Sequence, residues 1–407
     1  MPPRKDAAEL LKDYPYDRLE PMLGVTRAGR EPVLLHVGEP KFAPPSIVQS
    51  VIAGHTDSWS RYPNVRGTED LREAIAGWIC RRYAIPPTTV DPARSVLPVA
   101  GSKEGLAFAI TAAVMRKAAR LPDGVRPVVF IPNPLYHAMF GAALMAGADP
   151  VTVPLTAAGG FKPDLTQCVP EDLSRAAAFV ACTPNNPTAS VMASAEIEAL
   201  VGFAREHDFI AIFDEAYSEI YFDAPPPGGL GVAYSAFGDF RNVVASNSLS
   251  KRSGVPGLRG GFLAGDPEFV GTDIYLARAY AGPQIPLPLQ DAQAALWNDE
   301  DHVDAYRATY RHLKTIADDH FAGLPGYAAP EASFFVWLDV GDGAAAARTL
   351  WQTEAIKVLP GDIMSRPEPD GTRPGAAYIR LPLVYDPDIM AEAFARVAAT
   401  LAASRAA

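Results

Sequence analysis

The segment SNSLSKRSGVPGLRGG, residues 246–261, places an amine, hydroxyls and a guanidinium close together in the chain. It contains Lys251, the hydroxyls of Ser248 and Ser250, and Arg259 eight residues beyond the lysine. A lysine amine condenses with an aldehyde, while serine hydroxyls and a bidentate arginine hold a phosphate. The combination therefore favours a phosphorylated aldehyde bound through Lys251. The alternative is a solvated basic loop, because a lysine in a Ser/Gly-rich turn is commonly no more than that.

A carboxylate closes the apolar run in FIAIFDEAYSEI, residues 209–220. Asp214 ends the run, and Tyr217 follows three residues later. Burying a carboxylate is costly unless it has a partner. A protonated pyridine nitrogen is one such partner, and a ring held in that state accepts electrons from a carbanion; Tyr217 would then donate to a hydroxylate on the ring. A metal ligand and a carboxylate that caps the next helix remain open alternatives.

Two turns follow other apolar runs. ACTPNNPTAS (181–190) sets Asn186 between prolines, and AGSKEG (100–105) opens a predicted helix at Ser102. Prolines fix the backbone so that the amide points out from the strand end, although an ordinary tight turn favours the same residues. The first N–H groups of a helix form an anion site. Alternatively, Ser102 caps the helix and Glu104 interacts favourably with its dipole.

Two single residues complete the set of candidates. Tyr136 in NPLYHAMF is an aromatic side chain suited to stacking on a flat ring, although such a tyrosine is more commonly part of a core. Arg380 is an isolated charge within the apolar run AAYIRLPLV. A buried guanidinium requires a carboxylate, from the protein or from a substrate. HVGEP (36–40) and SRYPNVRG (60–67) are two further turns, each a weak signal.

Most of these residues directly follow a predicted strand. Short apolar runs alternate with amphipathic stretches from about residue 95 to 265, which predicts an α/β fold with a mostly parallel sheet covered on both faces. Ligands bind such sheets at the carboxyl ends of the strands. A chain of 407 residues exceeds one ordinary core. We predict an N-terminal segment (1–45) packing on a small domain, a large domain (46–289), and the small α+β domain (290–407), which begins with one long helix.

Composition excludes several classes of function. The formal charge of −11 argues against a nucleic-acid surface, and no apolar run is long enough to cross a membrane. Cysteines 80, 168 and 182 are odd in number and far apart, which favours a reducing cytoplasm over a disulfide framework. There is no CxxC pair and no HExxH, so we expect no metal site.

Together the segments resemble the fold-type I, pyridoxal-phosphate (PLP)-dependent aminotransferases of class I/II, over roughly residues 30 to 400. The resemblance implies the aspartate aminotransferase-like fold, with PLP as cofactor and an amino donor and 2-oxoglutarate as substrates. It implies that Lys251 holds the cofactor as a Schiff base and moves the proton, and that Asp214 pairs with the pyridine nitrogen. The other implied contacts are Tyr217 and Asn186 to the ring oxygen, Tyr136 stacked on the ring, Ser102, Lys103 (through its backbone), Ser248, Ser250 and Arg259 on the phosphate, and Arg380 on the substrate α-carboxylate with Asn186 and the backbone of Gly38.

Tyr62 resembles the family's tyrosine that reaches the phosphate in a neighbouring subunit, which implies a homodimer with shared active sites. Where the family commonly has NPTG, this chain has Ala189 in the glycine position. That change affects local backbone freedom more than the assignment.

Within the class, SLSKRSGVPGLRGGF, RYPNVRGTEDLREAIAGW and YPYDRL are similar to the proteobacterial N-succinyldiaminopimelate aminotransferases of lysine biosynthesis. The implied reaction is the transfer of an amino group between N-succinyl-LL-2,6-diaminopimelate and 2-oxoglutarate. Alternatives are another class I/II aminotransferase, for aspartate or aromatic amino acids, and a PLP carbon–sulfur lyase. A non-catalytic sensor domain would require a DNA-binding arm, which the N-terminus does not offer.

Overall fold

The computed structural model describes residues 7–26 and 28–406. Within them the strands are β1 (Val33–Leu35), β2 (Val96–Val99), β3 (Val128–Asn133), β4 (Asp149–Pro154), β5 (Ala176–Cys182), β6 (Ile210–Asp214), β7 (Val243–Ser248), β8 (Gly261–Gly265), β9 (Phe335–Asp339), β10 (Ile356–Pro360) and β11 (Tyr378–Pro382). The α-helices are α1 (Ala7–Lys12), α2 (Leu19–Leu23), α3 (Ser46–Gly54), α4 (Glu69–Tyr83), α5 (Ser102–Ala118), α6 (His137–Met145), α7 (Pro170–Leu173), α8 (Ser194–Glu206), α9 (Gly229–Phe237), α10 (Leu249–Arg252), α11 (Tyr275–Ala281), α12 (Leu287–Asn298), α13 (Asp301–Phe321), α14 (Gly343–Glu354) and α15 (Pro387–Ala406).

The larger sheet has seven strands in the order β2-β8-β7-β6-β5-β3-β4. All its strands run parallel except β8, which is antiparallel to β2 and β7. Strands β5 and β6 are buried at every position, because helices cover both faces of the sheet. One apolar core includes residues of α4, α8 and α12, and the opposite core includes residues of α5 and α6. The prediction of a mostly parallel α/β sheet is confirmed.

The smaller sheet has four strands in the order β1-β10-β11-β9. Its core also includes residues of α13, α14 and α15. The N-terminal segment contributes Leu19, Leu23 and Leu35 to this core, whereas Ala7 and Leu10 of α1 pack against the core of α5 and α6. The start of the chain therefore spans both parts of the fold.

The single long helix predicted after residue 294 is wrong, because α12 and α13 are separate. Asp299 has an extended backbone that ends α12, and its Oδ1 accepts a hydrogen bond of 2.9 Å from the N–H of Asp301 at the start of α13. Trp297 of α12 lies in the core of the larger sheet, and Tyr310 of α13 lies in that of the smaller sheet. The domain boundary predicted at 289/290 falls inside α12, and core membership favours a division after Asn298.

Three strands were not predicted. The run GFLAG of β8 reads as a turn because glycines bracket it, and β1 and β10 are short strands that pair with each other across more than 300 residues of chain. Among the described residues, no helix is long and apolar enough to cross a membrane.

Candidate active site

A cavity of about 310 Å³ opens at the carboxyl ends of the parallel strands. It is lined by every residue that the sequence analysis proposed for the site except Tyr62. The parallel strands explain this convergence, because the loops that leave β3, β5, β6 and β7 all emerge at one edge of the sheet. The lining residues are Tyr16, Val37, Gly38, Ser102, Lys103, Tyr136, His137, Asn186, Asp214, Ala216, Tyr217, Ser248, Ser250, Lys251, Pro256, Arg259, Phe335 and Arg380.

Lys251 projects its amine into this cavity from α10, the short helix that follows β7. The Nζ atom donates a hydrogen bond to the carbonyl oxygen of Gly38. Burial, with smaller contributions from Arg380 and Arg259, lowers the pKa of Lys251 to about 8, while Glu39 acts in the opposite direction. A larger fraction of this amine is therefore neutral and nucleophilic near pH 7 than for an exposed lysine.

Asp214 ends β6 with only 3 % of its surface exposed. Its Oδ1 accepts a 3.3 Å hydrogen bond from the N–H of Ala216, and its Oδ2 lies 4.0 Å from the thiol of Cys182. No cationic side chain pairs with it among residues 7–26 and 28–406. Burial raises the pKa of Asp214 to about 6, with the Ala216 hydrogen bond opposing the shift. The carboxylate therefore lacks the partner that would repay its desolvation.

A chain of polar contacts joins three of the proposed residues. The amide nitrogen of Asn186 donates to the hydroxyl of Tyr217 at 3.4 Å, and Arg380 Nη1 donates to Asn186 Oδ1 at 2.8 Å. The guanidinium of Arg380 also donates to the carbonyl oxygen of His36 at 2.9 Å and lies over the ring of Phe335. Its Nε is buried without a hydrogen-bond partner among the described atoms. Neutral acceptors hold the guanidinium in place, so its charge is available to an anion.

The start of helix α5 also lines the cavity and is suited to bind an anion. Helix α5 begins at Ser102, and Gly101, not Ser102, occupies the N-cap position, with no side chain capping the helix. The proposed capping role of Ser102 is therefore wrong, while Glu104 instead accepts a hydrogen bond from the N–H of Ala100. The first N–H groups of this 17-residue helix remain available for an anion.

Arg259 lies across this helix start. Its Nη2 donates to the carbonyl oxygen of Ala100 at 2.6 Å, and its Nη1 donates to that of Pro256 at 2.8 Å. Gly101 permits the approach, because its φ is +90° and a Cβ there would lie 2.6 Å from Arg259 Nη2. The helix start and the guanidinium therefore line the same cavity and both favour an anion there.

The two serines of the lysine segment differ in their freedom to bind a ligand. The hydroxyl of Ser248 caps α10 by accepting from the N–H of Ser250 at 3.1 Å, and it lies 3.0 Å from the carbonyl oxygen of Gly260. The hydroxyl of Ser250 contacts only that of Ser248, at 2.9 Å, among the described residues. Ser250 is therefore freer than Ser248 to contact an anion.

Sequence reasoning missed several residues of the cavity and proposed one that lies outside it. Tyr62 is fully exposed and does not line the cavity. Tyr16, His137 and Phe335 line it without having been proposed. His137 directly follows Tyr136 and gave the nearest sequence signal; Tyr16 and Phe335 arrive through contacts distant in sequence. Burial raises the pKa of Tyr136 and, with Lys103, Arg380 and Arg366, lowers that of His137 to about 4.

The cavity matches pyridoxal phosphate group by group. Lys251 suits the aldehyde, the unpaired Asp214 suits the pyridinium nitrogen, and the start of α5 with Arg259 suits the phosphate. Tyr136 and Ala216 line the same cavity and are suited to the two faces of the ring. The described residues contain no group of three or more His, Cys, Asp or Glu side chains that would hold a metal ion.

Comparisons with known proteins agree with this reading. The profile of the family described as aminotransferase class I and II matches residues 30–373. The chain is 30 % identical to the 4-dedimethylamino-4-oxo-anhydrotetracycline transaminase OxyQ of Streptomyces rimosus, over 95 % of this chain and 99 % of that protein. It is 30 % identical to an LL-diaminopimelate aminotransferase of Desulforudis audaxviator, over 95 % of each chain.

The structure is similar to a crystal structure of an aminotransferase from Neisseria meningitidis, with a TM-score of 0.89 and 36 % identity over 96 % of this chain and 98 % of that one. The fold is thus the aspartate aminotransferase-like fold that the sequence predicts. Members of the family depend on pyridoxal phosphate and act on amino and keto acids. The chain therefore belongs to the class I and II aminotransferases and is a pyridoxal-phosphate-dependent transaminase.

Proposed function

We propose that this enzyme transfers the amino group of N-succinyl-LL-2,6-diaminopimelate to 2-oxoglutarate, in lysine and diaminopimelate biosynthesis. The observation that carries the proposal is Arg380, whose buried guanidinium lies in the same cavity as the Lys251 amine. An arginine held by neutral acceptors binds a carboxylate in a fixed orientation. A substrate α-amino acid then has its carboxylate on Arg380 and its Cα within reach of Lys251.

Each proposed residue has one task in that reaction. When bound, pyridoxal phosphate supplies a ring that accepts the electron pair left at Cα. Lys251 removes the Cα proton and returns it, which its lowered pKa favours. Asp214 keeps a proton on the ring nitrogen, and Tyr217 with Asn186 donates to the ring oxygen. Ser102, Lys103, Ser250 and Arg259, with Ser248 nearby, hold the phosphate.

The diaminopimelate part of the proposal is supported by sequence likeness. The segments SLSKRSGVPGLRGGF and YPYDRL resemble the N-succinyldiaminopimelate enzymes, and several relatives of about 30 % identity are named LL-diaminopimelate aminotransferases. Those names favour LL-diaminopimelate itself as a second candidate donor. We further propose that the enzyme is a cytoplasmic homodimer. Support comes from exposed aromatic residues, Tyr62, Trp59 and Tyr280, and from the three free cysteines.

A donor screen tests the substrate. Glutamate formation from 2-oxoglutarate is followed with N-succinyl-LL-diaminopimelate, LL-diaminopimelate, aspartate and aromatic amino acids. We expect the highest kcat/KM with the succinylated donor, and a higher value with another donor would replace the proposal by that donor. Incubation with cystathionine and no keto acid tests the lyase alternative, which would release pyruvate and ammonia.

Arg380→Lys tests whether Arg380 binds the α-carboxylate of the donor. Lysine keeps the positive charge but loses the bidentate geometry, so KM for every α-amino acid donor should rise roughly 10- to 100-fold. An unchanged KM would remove Arg380 from its assigned role.

A further inference from the structure

A second cavity, of about 280 Å³, adjoins the first one. Lys103 and His137 line both cavities, so these two side chains form the junction between them. Beyond the junction the walls come from α1, the segment after it, α5 and α6, and they are largely apolar. The apolar residues of these walls include Leu10, Leu11, Ala107, Phe140, Leu144 and Met145.

A fixed guanidinium, that of Arg366, also lines the second cavity. It lies over the ring of Phe140, 4.3 Å from its centre. The backbone N–H of Arg366 donates to Asn133 Oδ1 at 3.0 Å, and Asn133 Nδ2 donates back to the carbonyl oxygen of Arg366 at 2.8 Å. The end of β3 thus fastens the segment that carries this arginine, so its side chain is positioned before any ligand binds.

Positive charge around this cavity is not balanced by the described acids. Arg366 Nη1 lies 3.0 Å from Asp13 Oδ2, and Arg18 Nε lies 3.4 Å from Asp13 Oδ1. Two arginines therefore share one carboxylate, and Lys103 adds a third cation without an ion pair among residues 7–26 and 28–406. Asp13 is the one acidic side chain among the described residues that line the cavity. Such an excess favours a ligand that brings its own carboxylate.

The junction has one neutral polar member, His137, beside the cationic Lys103. His137 has its pKa lowered to about 4, first by burial and then by Lys103, Arg380 and Arg366, so its ring is neutral. Its Nε2 lies 3.4 Å from the hydroxyl of Tyr14, and the rings of Tyr14 and Tyr16 meet it edge-on. A neutral imidazole between an active site and an apolar cavity suits an amide group passing it.

We propose that the second cavity binds the N-acyl arm of the amino donor, with the amide beside His137 and the terminal carboxylate on Arg366. The inference rests on the proposed function and names the residues that would distinguish a succinylated donor from others. The first cavity receives the cofactor and the α-amino-acid end of the substrate. The second cavity receives the N-acyl arm, which takes no part in the reaction. Arg366 is accordingly a specificity-determining residue.

The test compares two donors that are the same up to the last group: N-succinyl- and N-acetyl-LL-diaminopimelate. Both carry the amide, but only the first has a terminal carboxylate. Arg366→Gln should lower kcat/KM for the succinyl donor roughly 10- to 100-fold, mainly through KM, and that for the acetyl donor by less than about threefold. Arg366→Lys should recover part of the loss, because it restores the charge without the fork.

Asp13→Asn is the matched control, because it breaks the same ion pair and leaves the cation in place. It should change kcat/KM for the succinyl donor by less than about threefold. If Asp13→Asn and Arg366→Gln impair the succinyl donor equally, or if Arg366→Gln impairs both donors equally, Arg366 has a structural role and the inference is wrong, while the proposed function stands. If the wild-type enzyme does not use the succinyl donor, the proposed function itself is wrong, and the inference falls with it.

Discussion

Three buried carboxylates lie within the segment 214–219, and they differ in how they are partnered. Glu215 accepts hydrogen bonds of 2.6 Å from the hydroxyl of Tyr83 and from the N–H of Gly229. Glu219 forms ion pairs with Arg82 at 2.7 Å and with Arg307 at 3.4 Å. Asp214 has only the N–H of Ala216 and a distant thiol. Glu215 and Glu219 each have at least two polar partners in the protein, although burial still raises the pKa of Glu215 to about 7. By contrast, the one side-chain hydrogen-bond partner of the Asp214 carboxylate among the described residues is the thiol at 4.0 Å.

This difference distinguishes a buried carboxylate that stabilises the fold from one that is available to a bound ligand. Glu219 joins Arg82 of α4 to Arg307 of α13, so its charge ties the larger sheet's helices to those of the smaller sheet. Asp214 has a similar desolvation cost, but no ion pair among the described residues offsets it. A buried charge that the fold leaves unpaired indicates a bound group that completes it.

The largest effect on activity is expected from replacing Lys251, which lines the same cavity as Asp214. Lys251→Ala removes the amine that holds the cofactor and moves the proton, so kcat should fall at least about a thousandfold. The absorbance band that depends on the link between the cofactor and Lys251 should be lost as well. Steady-state assays and absorbance spectra measure both, and Lys314→Ala, at a lysine of α13 that does not line the cavity, serves as the control. Retained absorbance and turnover in Lys251→Ala would contradict the central assignment.

Asp214→Asn should lower activity while it raises the stability of the cofactor-free protein. Loss of the ring-nitrogen partner should lower kcat by roughly 10²- to 10³-fold. The pKa of Asp214 is raised to about 6 in the folded protein, so ionisation of this carboxyl group at pH 7 disfavours folding. The penalty disappears as the pH falls below the pKa that the aspartate has in the unfolded chain. The cofactor-free variant should therefore be about 1–3 kcal/mol more stable than wild type at pH 7, and the gain should vanish near pH 3.

Urea unfolding of the cofactor-free proteins at both pH values measures this difference. A cofactor-free Asp214→Asn protein that is less stable than wild type at pH 7 would show that the carboxylate has a structural partner after all.

Glu219→Gln tests the buried carboxylate that has ion-pair partners in the protein. It leaves Arg82 without an ion-pair partner among the described residues and Arg307 with only the exposed Asp304, so the free energy of unfolding should fall by about 3 kcal/mol. The residue does not line the cavity, and kcat of the folded enzyme should change much less than in Asp214→Asn. Denaturation curves and assays on the same preparations separate the two effects. A stable but inactive Glu219→Gln would contradict the distinction drawn here.

The smallest effect is expected at Ala189, which stands where the family commonly has glycine. Its φ is +60°, a conformation that costs an alanine about 1 kcal/mol. Ala189→Gly relieves that strain but removes a buried methyl group, worth about 0.8 kcal/mol, and adds freedom to the unfolded chain. Stability and kcat should thus change little, by less than about 0.5 kcal/mol for unfolding. A shift above 1 kcal/mol in thermal or urea denaturation would show that the loop tolerates alanine for another reason.

Much of the site was predictable because its residues follow strands of one parallel sheet. Lys251, Asp214 and Asn186 stand directly after apolar runs, and parallel topology brings strand ends together. Arg380 was predictable from its isolation in an apolar strand. The remaining features depend on contacts distant in sequence, which local patterns do not report. Such features are the pairing of β1 with β10, Phe335 beneath Arg380, and the approach of Arg366 to His137.

Two local errors have specific physical reasons. At the helix break the Asp299 carboxylate contacts the N–H of Asp301 and the ring of His302, and Asn298 and Asp299 are capping residues by type within an otherwise helix-favouring stretch. Ser102 is a good capping residue by type, yet Gly101 takes the cap position with a φ of +90°, a conformation that residues with a side chain rarely adopt.

The residue to which the cofactor is attached can be identified directly. Holoenzyme is treated with borohydride, which fixes the cofactor on the amine that holds it, and the digested protein is mapped by mass spectrometry. We expect one pyridoxyl-modified peptide, with the modification on Lys251. A modification on another lysine, or none on a protein that retains its cofactor and activity, would contradict this assignment.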